Sequence, residues 1–166
     1  MSRLESVIDQ IRLARIYSKG LIQAVGEADW FRMPEGSVTH VAWQVGHLAA
    51  AEYYLTAVRV RGRSEADAEL ISDEFLEQFG KGSVPQADPA AYPEVGEIRN
   101  VFDAVHAEAL KDLPQLEEAI LDEPAEPPHP MFSTRFGAIS FCPMHEMIHA
   151  GQIGLLRRIL GGDPLR

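Results

Sequence analysis

The chain has 166 residues, of which 15 are basic and 25 acidic, for a formal charge of -10. That length suits one domain, residues 1–166, whose core needs neither a disulfide nor a structural metal. The charge argues against a nucleic-acid partner, because RVRGR at Arg59–Arg63 and the pair Arg157 and Arg158 are too small to offset it. The lone cysteine, Cys142, cannot close an intramolecular disulfide and fits a reducing cytoplasm. The amino terminus breaks its apolar residues with charges, and no later run is long enough to span a bilayer, so neither a signal peptide nor a membrane partner is expected.

Leu4, Val7, Ile8, Ile11, Tyr17, Leu21, Ile22 and Val25 recur at steps of three and four and predict a first amphipathic helix. After RMPEGS, Ser37 and Thr39 are candidate N-caps of a second helix that runs to about Arg61, before Gly62. A connection of about 30 residues follows, with one short helix predicted at Ser72–Phe79; this length permits a crossover rather than a hairpin. Pro93 and Glu94 open a third helix, with Ile98, Val101, Phe102, Val105, Ala109 and Leu113 on one side, until Pro114. Pro124, Pro127, Pro128 and Pro130 mark a loop. Phe132–Ile139 is the only strand candidate and reads better as loop. Ser140 is a candidate cap for a fourth helix that ends at Gly161, Gly162 and Pro164. The expected fold is all-α, a four-helix bundle with a long crossover between helices two and three.

His145 and His149 lie four apart on the last helix, one turn from each other on a face shared or flanked by Ile148, Gln152 and Leu156. Imidazoles on an inward face need partners, which two hydrogen bonds or one cation can supply. A catalytic zinc site takes three protein ligands, and His47, mid-helix in WQVGHLAAAEYYL beside Trp43, Gln44 and Tyr54, is the candidate third; Gly46 permits close approach there. His40 is expected to be exposed or capping, and His129 to lie in the loop. His106 is a candidate for a supporting or pocket role, against the alternative of a half-exposed helix residue. Cys142 reads as a small buried hydrophobe, with a thiolate ligand as the alternative. Gln152 either orients a bound ligand or packs the helix.

HEMIH also matches the HExxH signature of zinc proteases. The 17 residues after His149 hold neither a glutamate nor an HxxGxxH extension, and no sheet is expected to seat a peptide. Glu146, turned by about 100 degrees from His145, is expected to face solvent, leaving it a weak general-base candidate.

The segments WQVGHLAAAEYYL and HEMIHAGQIGLLRRILG resemble the DinB-like superfamily (the DinB/YfiT-like metalloenzymes) and are similar to its second subfamily in particular; the second segment matches the pattern HxxxHxGQI. The resemblance implies a bundle with a crossover between helices two and three. It also implies a divalent metal held by one histidine of helix two and two of helix four, here His47, His145 and His149. Members with known activity include bacillithiol or glutathione S-transferases and a mycothiol-dependent maleylpyruvate isomerase, and members often form homodimers. Some carry glutamate where this chain has His145, so this is the neutral three-histidine form. The expected function is therefore a divalent-metal-dependent enzyme, a thiol-dependent S-transferase or a hydrolase, acting on a small electrophilic substrate with zinc or nickel and a low-molecular-weight thiol. The alternatives are a noncatalytic metal-binding or stress-response bundle, a plain bundle with hydrogen-bonded histidines, and, remotely, the protease.

Overall fold

Ser2 caps the first helix through a reciprocal pair of bonds: its hydroxyl accepts from the Glu5 amide at 3.1 Å, and Glu5 accepts from the Ser2 amide at 2.6 Å. Helix α1 then runs over Arg3–Gln23. In the computed structural model, which describes residues 1–163, four further helices follow. Helix α2, Val41–Tyr53, continues through a π-helical turn at Tyr54–Val58 and a last α-turn at Arg59–Arg61. The short α3 spans Asp73–Phe79, α4 Val95–Asp112 and α5 Arg135–Ile159. The chain is mostly helical, as its periodicity predicts, with one small sheet. No helix among the described residues is long and apolar enough to cross a membrane.

The boundaries differ from expectation in three places. The N-cap of α2 is His40, which is fully buried: its Nδ1 accepts from the Trp43 amide at 3.1 Å, and its Nε2 donates to the Gln86 carbonyl at 3.0 Å. Ser37 and Thr39 instead bond each other across the preceding turn. Helix α5 begins five residues before Ser140, capped by Thr134, whose hydroxyl accepts from the Gly137 amide at 3.1 Å. Pro143 is carried inside it, on the buried side. The proline cluster is a strand, not a loop: β1 (Pro124–His129) pairs antiparallel with β2 (Phe132–Thr134). A two-stranded ribbon consists of edges alone, where proline's missing N–H costs no ladder bond. Phe132 packs on Gly137, where a side chain would meet its Cβ at 2.8 Å. Pro164 lies outside the described residues.

The helices bury two apolar clusters. One gathers the end of α1, Trp30, α2 as far as Tyr53, α3, α4 from Val95 to Val105 and the end of α5; the other joins the start of α1 to Leu55, Leu113, Leu121 and the start of α5. Between them lie buried polar side chains, Arg15 and Ser18 on α1, Glu52 and Thr56 on α2 and its π-helical turn, and Glu146 on α5. Tyr17, counted in the apolar stripe of α1, is instead exposed.

Candidate metal centre

Three imidazoles meet where α2 crosses α5. One ring nitrogen of each of His47, His145 and His149 lies within 4.8 Å of the others, so the expected trio is brought together at a point where a cation could be held. The ring centres of His145 and His149 are 4.5 Å apart, the spacing of successive turns, and that of His47 is 4.7 Å from His149 and 5.3 Å from His145.

Two of the rings are fixed from behind. Nδ1 of His47 lies 2.7 Å from the Phe79 carbonyl at the end of α3, and Nδ1 of His149 lies 2.6 Å from Oε1 of Gln44 on α2. Both partners are acceptors, so each Nδ1 carries the proton and each Nε2 keeps a lone pair for a metal. Gln44 is held in turn by a bond from its Nε2 to the Thr39 hydroxyl at 3.0 Å. Trp43 lies flat against His47, ring centres 4.7 Å apart and planes within 8°, with its Nε1 on the Ser83 hydroxyl. Gly46 is the residue that lets Phe79 come so near: a Cβ there would overlap the phenyl ring. The close approach expected at Gly46 is thus to the short α3 rather than to a long helix.

Electrostatics keep the trio neutral. Burial, then the neighbouring His47 and His129, push His145 down to about 4; burial, then His145 and His47, push His149 down to about 3, against a contact with Gln152 that opposes the shift. Burial lowers His47 as well, opposed by its bond to Phe79. Neutral imidazole is the ligating form, so the protein has already met the protonic requirement for binding a cation. Cys142 is buried away from the trio, and desolvation raises its thiol well above the ordinary range. Ile148 does not share the inward face; it is 56% exposed.

Glu146, expected in solvent, is 2% exposed and faces α1 instead, turned around α5 by about 100 degrees from His145 and about 60 degrees from His149. Its Oε1 accepts from Nε of Arg15 at 2.8 Å and from the Ser18 hydroxyl, both on α1. Arg15, itself buried, also donates to Oε2 of Glu52 on α2 at 2.6 Å and to the Phe102 carbonyl on α4 at 2.7 Å, and its guanidinium lies 3.5 Å from the centre of the Phe102 ring. His106 does not join the trio; its Nδ1 bonds Oε1 of Glu52 at 2.8 Å. Burial opposes each charge, but Arg15 and then His106 leave the Glu52 carboxyl below its ordinary range, and Glu52 and Glu146 leave Arg15 above its own.

Sequence reasoning placed Gln44 beside His47 without giving it a role, and missed Arg15, Ser18 and Glu52. A signal for the last three exists. Arg15 and Ser18 continue the buried stripe of Leu4, Ile8 and Ile11, Glu52 continues that of Val41, Val45 and Leu48, and Glu146 continues that of Ile139 and Cys142. Charges in step with an apolar face call for partners in the interior.

A family model described as the DinB superfamily matches residues 10–153. No curated protein matches the chain.

Proposed function

The chain belongs to the DinB superfamily, and from that premise and the convergent imidazoles we propose that it is a metal-dependent enzyme of the cytoplasm. In this reading it joins a low-molecular-weight thiol to a small electrophilic substrate, on a four-helix bundle. The observation that carries the reading is the pair of Nδ1 bonds, to Phe79 and Gln44, which leave the Nε2 lone pairs of His47 and His149 available beside His145. His47, His145 and His149 would hold the cation; plain core histidines would have no use for three ring nitrogens gathered at one point. A zinc or nickel ion there would act as a Lewis acid that makes a thiol, or a water, easier to deprotonate.

The chain's own residues favour a nucleophile that arrives with the ligand. Glu146, the one carboxylate within HEMIH, is committed to Arg15 and Ser18, which also removes the general base that a protease would need. Trp43 shields one side of His47, and Gln152 stands one turn beyond His149. Leu13, Ile16 and Tyr17 on α1 and Met144, Ile148 and Leu155 on the adjoining α5 are exposed, an apolar face suited to a second copy of the chain.

Untagged protein purified from its host should carry about one zinc or nickel per chain by elemental analysis, and His149→Ala should abolish it. The loaded protein should consume a thiol in the presence of a generic electrophile such as a chlorodinitrobenzene, and the stripped protein should not. Metal without turnover would leave a noncatalytic metal-binding module; no metal in the wild type would sink the proposal.

A further inference from the structure

The two helices that carry the three histidines are gripped, away from the trio itself, by one guanidinium. Glu52 follows His47 by five residues on α2; Glu146 follows His145 by one and precedes His149 by three on α5. Arg15 reaches Glu52 at 2.6 Å through Nη2 and Glu146 at 2.8 Å through Nε, while Nη1 is spent on the Phe102 carbonyl at 2.7 Å. All three ionic side chains are at most 3% exposed. We propose that Arg15 is a positioning residue of the cation site: without touching it, the guanidinium fixes the rotation of α5 and its separation from α2, and so where the imidazoles converge. The proposal rests on the reading that the trio holds a metal.

Three observations support positioning over plain stabilisation. A buried ion network is a poor source of stability, since apolar side chains of similar volume serve as well or better; its geometry is what apolar contacts cannot supply. The guanidinium is rigid and planar, and its three nitrogens take partners on three different helices, so it transmits position in a way that a flexible ammonium would not. The network also lies between the two apolar clusters, at the level along α5 where His145 and His149 project. Neither cluster alone governs the rotation of the helix there. Glu146 does, because a turn of α5 that moved the histidines off His47 would pull its carboxylate from Arg15 and Ser18.

The test uses Co2+ as probe, titrated into metal-stripped, untagged full-length protein, with folding followed by circular dichroism and ligand geometry by visible absorption. Wild type should bind one equivalent with the intense bands of a low-coordinate imidazole site. Arg15→Lys, which keeps the buried charge but cannot span both carboxylates, and the apolar triple variant R15M/E52L/E146L should remain folded. Each should bind Co2+ at least tenfold more weakly, with bands altered in position and intensity. Folded variants that bind within twofold of wild type and reproduce its spectrum would overturn the proposal. Loss of the fold in both would overturn it too, by showing that the network holds the whole protein rather than the ligand pair. Wild type without a band would defeat the metal reading itself, a result distinct from either.

Discussion

Helix α5 presents two separate polar sites within one turn. On one side His145 and His149 are partly buried, uncharged and incompletely partnered; on the other, Glu146 is sealed and both of its oxygens are used. On the sealed side one guanidinium serves two carboxylates and each group has its partners inside the protein, which makes it inert. The histidine side leaves lone pairs turned inward, which makes it reactive toward a cation. Adjacent letters of one motif therefore serve different ends, and helical rotation alone separates them.

The comparison predicts opposite responses to truncation. Glu146→Ala leaves the buried Arg15 paired with Glu52 but takes the acceptor from its Nε and from the Ser18 hydroxyl, and should cost about 1–3 kcal/mol of unfolding free energy in urea titration. His149→Ala in metal-free protein should change the same quantity by less than about 1 kcal/mol, because the group lost is neutral and only partly buried, yet it should abolish metal binding. Equal losses from the two substitutions would erase the distinction.

The two sides also differed in legibility. The histidine pair is visible as an i, i+4 repeat, and His47 could be joined to it by conjunction and by resemblance. The sealed side could not be read the same way, since Glu146 and Arg15 are 131 residues apart and nothing local pairs them. A charged residue inside an apolar stripe shows that a partner exists, but not which one. The β1–β2 ribbon was hidden for a related reason. Three prolines among six residues look like loop wherever a central strand is imagined, and only the absence of a third strand makes them acceptable. Of the fold, the helix positions were legible because periodicity is local; caps such as His40 and Thr134 were not, because they depend on tertiary neighbours.

Two substitutions probe how the histidine side is supported. Gly46→Ala places a methyl group in the Phe79 ring and should cost about 1–3 kcal/mol in thermal or chemical unfolding. It should also loosen metal binding, since moving Phe79 moves the carbonyl that fixes His47. Gln44→Ala should cost about 1–3 kcal/mol, since the side chain is buried and bonded at both ends, while weakening Co2+ or Zn2+ affinity by about 10–100-fold, the usual effect of losing a ligand's outer partner. Calorimetric titration measures both affinities, and an unchanged affinity in Gln44→Ala would mean that His149 is oriented by packing alone.

The smallest effect is expected at Asp67, a carboxylate intermediate between the two sides of α5. It is nearly buried, like Glu146, but its partner Arg61 is about one-third exposed, at 35%. Bonds from Arg61 first, and then from the Ser64 amide and Tyr53, hold Asp67 down to about 2 despite burial. A depressed carboxyl contributes stability that is complete above its unfolded value near 3.8 and disappears as pH falls through about 2. Solvent around Arg61 discounts that contribution to about 1 kcal/mol. Asp67→Asn should therefore lower stability by about that amount at pH 7 and flatten the acid limb of the stability curve between pH ~4 and ~2. If the variant and the wild type lose stability in parallel over that range, Asp67 draws nothing from its ion pair, and sealing both partners from water, as around Arg15, is what gives a charge its hold on this protein.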